Sequence, residues 1–246
     1  YAAGPDDDWM IEETWKKANP SLGHAVKVDY LREQATRAAA NPALENTFRR
    51  LHLNQWTEAE NRIIPMHAYD ACVVKYTEDD LLGQQCYAGL DLASTTDVTA
   101  FVLVFPQEGG GCRVLPWFWL PEEAVNKRTE QDQKMIRTFA DRKMITLTDG
   151  NEVDTMLVSQ QIADICERFD VVKVGFDRWN AIGVTQTLQR YGIPHESLEK
   201  IGQTNANFNA PFRQFLAWVG NAKFQHNGNE VLRFMAANTV AQEDAG

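Results

Sequence analysis

Apolar residues in the middle of the chain fall into three short runs that have the length of β-strands. The runs occupy residues 86–91, 98–105 and 112–119, and the glycine-rich segment 107–111 separates the second from the third. Short apolar runs bounded by turn residues are typical of strands joined by tight connections. The pattern therefore predicts an antiparallel meander of three strands.

Helical and strand-like segments alternate along the chain after the meander. The predicted helices lie at residues 129–142, 155–169, 180–191, 211–220 and 230–237. The predicted strands lie at residues 145–148, 171–176, around 195, and 223–225. A polar loop is predicted at residues 202–209. Three antiparallel strands followed by strands flanked by helices predict a mixed α/β sheet covered by helices.

The beginning of the chain has no series of apolar runs that could build a sheet. Helices are predicted there at residues 8–15, 28–40 and 43–53. We therefore predict two domains. The first is a helical arm or linker at residues 1–82, whose main partner surface lies outside the chain, and the second is a sheet-containing domain at residues 83–246.

Two of the predicted strands end in an aspartate. Asp91 follows the first apolar run and precedes a turn rich in hydroxyl residues, and Asp177 follows the run at 171–176. If the two strand ends adjoin, the carboxylates repel each other unless a proton or a cation offsets their charge. Carboxylate oxygens are suitable ligands for a divalent cation. The pattern predicts either such a site or two structural aspartates, since Asp is also common in turns and at helix N-caps.

Composition argues against a membrane-spanning protein and against a zinc site built from cysteines. The chain has 246 residues, of which 44% are hydrophobic, enough for one sizeable core with an appendage. Because no apolar run approaches the roughly 20 residues of a membrane-spanning helix, we expect a soluble protein without a membrane partner. The four cysteines are widely spaced and lack the spacing of zinc ligands, which favours a reducing cytoplasm.

The charge of the chain bears on nucleic-acid binding. A net charge of −10 argues against a surface that coats nucleic acid, because such a surface needs clustered Lys and Arg. It remains compatible with a nuclease whose acids bind metal ions while a local basic rim contacts the backbone. The candidate rim residues are Lys127, Arg128, Lys134, Arg137, Arg142, Lys143, Arg178, Arg213, Lys223 and Arg233, of which most are expected to form an ordinary solvated surface.

Several segments together resemble a known family. They are WKKANP at 15–20, FRRLHLNQW at 48–56, GLDLAS at 89–94 with DVTA at 97–100, GFDRW at 175–179, NEVLR at 229–233 with Asn238, and DAG at 244–246. The order of acids and elements resembles the ribonuclease H-like fold. The segments as a set resemble the C-terminal nuclease half of tailed-phage large terminase subunits, and the resemblance covers nearly the whole chain.

The resemblance implies a function and a set of site residues. In this family an N-terminal ATPase pumps DNA into the procapsid, and the C-terminal nuclease cuts the concatemer. The chain would then be a metal-dependent endodeoxyribonuclease that cuts concatemeric double-stranded DNA by two-metal phosphodiester hydrolysis. Asp91 would bridge two Mg²⁺ or Mn²⁺ ions, and Asp177 and Asp244 would each bind one of them.

The resemblance also implies partners and a location. The expected partners are double-stranded DNA, the terminase ATPase domain, the portal protein and the small terminase subunit. The expected location is the host cytoplasm, at the procapsid during packaging.

The chain departs from the family pattern in two ways. It has no Gly-x-x-x-x-Gly-Lys-Ser/Thr segment, so we expect the ATPase to be absent, apart from its C-terminal edge or linker. Asp244 lies two residues before the last residue, Gly246, so we expect the segment that would hold this acid in place to be missing. Asp97 is open to two interpretations, as an outer metal ligand or as a cap of its turn.

Two other functions remain open from the sequence. Asp91 with the nearby Ser94 and Thr95 resembles the first phosphate loop of sugar kinases and actin-like ATPases, although no glycine-rich adenosine loop follows Asp177. The chain could instead be a non-catalytic docking module of the packaging motor, which its acidity would suit.

Overall fold

A computed structural model describes residues 1–4, 7–40, 42–55, 63–177 and 182–240 of the protein. Contacts between residues divide the chain into two compact units. Residues 1–66 and 234–246 form one unit, and residues 67–233 form the other. The domain division at residues 82 and 83 stays a prediction.

The unit that contains the N-terminus is built on three helices. They are α1 (Glu12–Ala18), α2 (Val28–Ala40) and α3 (Pro42–Leu53). Trp15, Leu31 and Phe48 are buried together because the apolar residues of each helix recur on one face. The indole Nε1 of Trp15 donates a hydrogen bond to Trp9 O at 2.7 Å, which satisfies its polar group. The first helix begins four residues later than predicted, and the other two agree with the prediction.

The remaining helices and strands follow in the order that the sequence predicts, with two short helices added. The elements are α4 (Met66–Asp70), β1 (Gln85–Asp91), β2 (Thr99–Pro106), β3 (Cys112–Pro121), α5 (Glu122–Asn126), α6 (Glu130–Asp141), β4 (Thr146–Thr148), α7 (Thr155–Arg168), β5 (Asp170–Asp177), α8 (Ile182–Arg190), β6 (Leu198–Ile201), α9 (Asn205–Gly220), β7 (Phe224–His226) and α10 (Glu230–Ala237). The sequence did not predict α4 and α5. No helix in the described ranges combines the length and the apolar character that a bilayer-spanning helix requires.

The strands form a mixed sheet in which β1 and β5 are central neighbours. The strand order is β4-β3-β2-β1-β5-β6, and β7 pairs with β3. The β1–β2 and β2–β3 pairs are antiparallel, which confirms the predicted meander, whereas β1 and β5 are parallel. The carboxyl ends of β1 and β5 therefore lie at the same edge of the sheet.

The two faces of β1 have different environments. Cys86, Ala88 and Leu90 are buried and belong to the main core, together with apolar residues of β2 and of α7. Full burial of each large apolar side chain in such a core stabilises the fold by about 1.5–3 kcal/mol. Tyr87, Gly89 and Asp91 alternate with the core residues and are exposed on the opposite face. We call this second face, around β1, the open face of the sheet.

The predicted polar loop at 202–209 is wrong over most of its length, because α9 begins at Asn205. Thr204 caps the helix, since its Oγ1 accepts a hydrogen bond from Asn207 N at 3.3 Å. The predicted start of this helix, Pro211, lies inside α9.

Candidate functional site

The structure places Asp91 and Asp177 at the ends of two adjacent parallel strands. Leu90 of β1 pairs with Phe176 of β5, and each aspartate is the next residue of its strand. Neighbouring strands are about 4.8 Å apart, so the two side chains start from adjacent points of the backbone. The carboxyl end of a central pair of parallel strands is a common place for a ligand site in α/β proteins.

The carboxyl group of Asp91 is electrostatically unfavourable in its ionised form. The residue remains accessible from the open face, but partial burial raises the pKa of its carboxyl group. The negative charges of Asp177 and then Asp97 raise this pKa further. A bound cation would offset all three effects.

Asp177 contributes a carboxylate oxygen that lacks a partner. Its Oδ1 atom is buried, and no described residue donates a hydrogen bond to it. A buried polar atom without a partner costs free energy, which a cation or a donor from a ligand would offset. The two acids therefore offer the hard oxygen donors that Mg²⁺ and Mn²⁺ prefer.

The described residues supply only part of a ligand set. Among them, no group of three or more His, Cys, Asp or Glu residues could hold a metal ion. The third predicted ligand, Asp244, belongs to residues 241–246, which are outside the described part of the chain. The roles of Asp91, Asp177 and Asp244 as metal ligands stay predictions.

The loop between β1 and β2 is held by a buried threonine. Thr99 accepts a hydrogen bond from Ala93 N at 3.1 Å through its Oγ1, which also contacts Ala93 O at 3.3 Å as a donor. Val153 N donates to Ser94 O at 3.0 Å and ties the same loop to the segment before α7. Thr99 is not among the site residues predicted from the sequence, although a threonine inside an apolar run is a signal that its hydroxyl has a local partner.

Arg128 also holds this loop. Its guanidinium donates a hydrogen bond to Thr96 O at 2.9 Å, next to Asp97. The side chain of Asp97 is exposed. Thr99 and Arg128 therefore hold the turn in the described part of the chain, and Asp97 stays open to both interpretations.

Most of the other candidate rim residues with described contacts bind acids on the surface. Arg137 pairs with Glu122 at 3.2 Å, Arg142 with Glu230 at 2.8 Å, and Arg233 with Asp70 at 2.7 Å. Exposed pairs of this kind contribute about 0–1 kcal/mol each. They agree with the expectation that most of these residues form a solvated surface. Arg178 lies outside the described residues.

A cavity of about 370 Å³ adjoins the two aspartates on the open face. Gly89 and Gly175 pair across β1 and β5 and form part of its floor. Its other lining residues include Val102 of β2, Ile201 of β6, Gln203 in the segment before α9, and Phe208 of α9. The sequence did not predict this cavity, because it depends on the early start of α9 and on the pairing of distant strands.

Comparisons with known proteins identify similar sequences over the whole chain. A family model described as "Terminase large subunit, endonuclease domain" matches residues 1–246. The chain is 29% identical over 245 residues to the terminase large subunit of Enterobacteria phage HK97, and it covers 48% of that protein. It is 26% identical over 257 residues to protein YmfN of Escherichia coli (strain K12), and it covers 55% of that protein. The chain thus spans about half the length of these curated relatives.

A solved structure is similar to the fold described above. The crystal structure of the HK97 bacteriophage large terminase matches with a TM-score of 0.66 and 29% identity. The match covers 100% of this chain and 50% of the other. This similarity confirms the predicted mixed α/β fold of the ribonuclease H-like class.

Proposed function

Because the chain belongs to the family of terminase large subunit endonuclease domains, we propose that it is a metal-dependent endonuclease that cuts concatemeric double-stranded DNA during phage genome packaging. The observation that carries this proposal is the position of Asp91 and Asp177 at the ends of adjacent central strands. The raised pKa of Asp91 and the unpartnered Oδ1 of Asp177 support a cation at this position.

Asp91, Asp177 and Asp244 are the residues that would hold two Mg²⁺ or Mn²⁺ ions. When bound, such ions activate a water molecule and neutralise charge on the attacked phosphate of the DNA. No histidine is needed as a general base under this proposal, and the buried His226 is engaged with Tyr69 instead.

The residues around the acids have separate tasks. The open face leaves Asp91 accessible, so that a DNA backbone can reach it. Thr99 and Arg128 fix the loop that follows Asp91, which limits the movement of the acid at the end of β1. A fixed site needs less reorganisation when the reaction begins.

The wider setting follows from the family. We propose that this chain acts beside a terminase ATPase domain, and that the portal protein and the small terminase subunit are its partners in the host cytoplasm. The relatives are about twice as long as this chain, so these partners belong to the whole protein.

The test is nicking of supercoiled plasmid DNA by this chain. We expect nicking with Mg²⁺ or Mn²⁺, none with excess EDTA, and no requirement for ATP. Nicking that persists in EDTA would contradict the metal-dependent mechanism. Hydrolysis of ATP without nicking would favour a kinase-like protein, and the absence of both activities would favour a docking module.

A further inference from the structure

The floor of the cavity beside Asp91 and Asp177 has bare backbone at Gly89. Gly89 lies opposite Gly175 in the β1–β5 pair, and both line the cavity. A Cβ atom at Gly89 would meet no atom within 4 Å, so this glycine leaves open space above the backbone. At Gly175 the side chain of Ile201 occupies the space above the backbone, so the bare backbone at Gly89, bordered by this side chain, offers the flat surface against which a planar ring can lie.

The walls of the cavity are mainly apolar. They are formed by Val102, by Ile201 and by the ring of Phe208, which is 48% exposed. None of the described residues that line the cavity is Lys or Arg. A site for a second DNA phosphate would need a cation or several N–H donors, which this lining does not provide.

The position of the cavity limits what can enter it. Asp91 and Asp177 line the same cavity as the apolar walls. With cations held by these acids, a phosphodiester at this position would bring its attached sugar and base to the apolar part. The uncharged, flat part of such a ligand is the nucleobase, whose faces stack well on aromatic rings.

Resting on the endonuclease function proposed above, we propose that this cavity binds the nucleoside next to the cleaved phosphate, with its base unstacked from the duplex and placed against Phe208. The volume of about 370 Å³ lies within the range of small-ligand pockets. The unstacking of one base costs free energy, which its stacking on Phe208 offsets.

Gln203 supplies the polar group that can contact the edge of this base. Its side-chain amide can both donate and accept hydrogen bonds, so it suits any of the four bases. The subsite therefore accepts any base, and its occupation depends on how easily that base leaves the stack.

The first experiment measures base unstacking without cleavage. A short duplex carries 2-aminopurine at several positions of one strand, and its fluorescence is recorded with Ca²⁺ as increasing amounts of the full chain are added. Stacking on neighbouring bases quenches 2-aminopurine, so we expect the fluorescence to rise as the chain binds.

Two variants change the cavity, and two matched variants leave it intact. Gly89→Leu fills the open space, and Phe208→Ala removes the aromatic wall. Gly220→Leu adds the same side chain at another open position, and Tyr191→Ala removes another exposed aromatic ring, which is 40% exposed. Gly89→Ala is a smaller change at the same position as Gly89→Leu. Thermal unfolding checks that each variant folds.

We expect Gly89→Leu and Phe208→Ala to abolish most of the fluorescence rise, whereas Gly220→Leu and Tyr191→Ala keep it. Phe208→Ala should raise the DNA concentration for half-maximal nicking by roughly tenfold, since stacking contributes this much per base.

Three results would overturn the proposal. If the chain nicks plasmid DNA but the folded Gly89→Leu and Phe208→Ala variants behave like the parent in both assays, the cavity has another occupant, such as a polypeptide segment, and the endonuclease function stands. If the chain nicks DNA without any rise in 2-aminopurine fluorescence, the base does not leave the stack. If the chain neither binds nor nicks DNA, both this inference and the proposed function fail.

Discussion

Gly175 of β5 lies so close to Ile201 of β6 that an added Cβ atom would be 2.5 Å from Ile201 Cδ1. The partner of Gly175 across the strand pair, Gly89, has open space at the same position. The two glycines are adjacent in the sheet and line the same cavity. They therefore form a matched pair for testing the shape of the cavity floor.

We predict opposite effects of alanine at these two glycines. Gly89→Ala should raise stability by about 0.5–1 kcal/mol, because alanine loses less backbone entropy than glycine in a strand. Gly175→Ala should lower it by about 0.5–1.5 kcal/mol, because Ile201 must leave its preferred rotamer. Thermal unfolding measures both, at about 2–4 °C per kcal/mol. Equal melting temperatures for the two variants would contradict the packing described here. Adding Ile201→Val, which shortens the obstructing side chain, should restore part of the stability that Gly175→Ala loses.

The hydroxyl of Thr99 should be needed for stability and for nicking. Thr99→Val keeps the shape of the side chain but leaves Ala93 N without its partner, which should cost about 1–3 kcal/mol. The loosened loop should also lower the rate of nicking at saturating DNA. Thr148→Val is the matched control, because the buried Oγ1 of Thr148 has no hydrogen-bond partner in the described part of the chain. This second variant should unfold at the same temperature as the parent or higher. If Thr99→Val and Thr148→Val lower the free energy of unfolding by the same amount, the hydroxyl of Thr99 does not hold the loop.

His226 should make the protein less stable in mild acid. Its Nε2 donates to Tyr69 O at 3.0 Å and its Nδ1 accepts from Gly228 N at 3.3 Å, which defines a neutral ring. Burial lowers the pKa of His226 below its usual value of 6.5, and nearby Arg233 lowers it further, while the hydrogen bond to Tyr69 O and the charge of Asp70 act in the opposite direction. Because the unfolded chain then binds the proton more readily, stability falls as the pH drops from about 6.5 towards the folded pKa.

The measurement is the melting temperature between pH 7 and pH 5. His226→Gln keeps a donor towards Tyr69 O and cannot titrate, so its melting temperature should change less over this range than that of the parent. His24→Gln, at an exposed histidine, should follow the parent. A His226→Gln variant with the same pH dependence as the parent would show that another group is responsible.

Asp91→Asn should stabilise the protein in the absence of divalent cations. The folded pKa of Asp91 is raised, chiefly by burial and then by the charges of Asp177 and Asp97. A raised carboxyl pKa means that stability falls as the pH rises from about 3.8 through the folded pKa, and that the loss persists at pH 7. Asparagine removes this charge, so the variant should unfold at a higher temperature than the parent at pH 7 in EDTA. Asp170→Asn, at the exposed start of β5, is the control and should have little effect. A lower melting temperature for Asp91→Asn would indicate a structural aspartate.

The sequence predicts the central strands well and the cavity poorly, for physical reasons. The apolar run of β1 is a local property of the sequence, so the bounds of the strand and the position of Asp91 at its end follow from the order of residues. The adjacency of Asp91 and Asp177 depends on strand order, which the resemblance to a fold family supplied. The polar residues at 202–209 predict a loop, whereas the cap at Thr204 starts α9 within this segment. The sequence therefore places Phe208 in a loop, whereas the structure places it in α9 as a wall of the cavity.

Nicking of supercoiled plasmid by Asp91→Asn, compared with Asp170→Asn, tests the central claim most directly. Both variants replace one carboxylate by an amide in the central β1–β5 pair, but only Asp91 lies at the carboxyl edge beside Asp177. We predict that Asp91→Asn loses nearly all nicking with Mg²⁺ or Mn²⁺ while it remains folded, and that Asp170→Asn nicks at the rate of the parent. A folded Asp91→Asn variant that nicks DNA as fast as Asp170→Asn would contradict the assignment of the two-aspartate site as the nuclease centre.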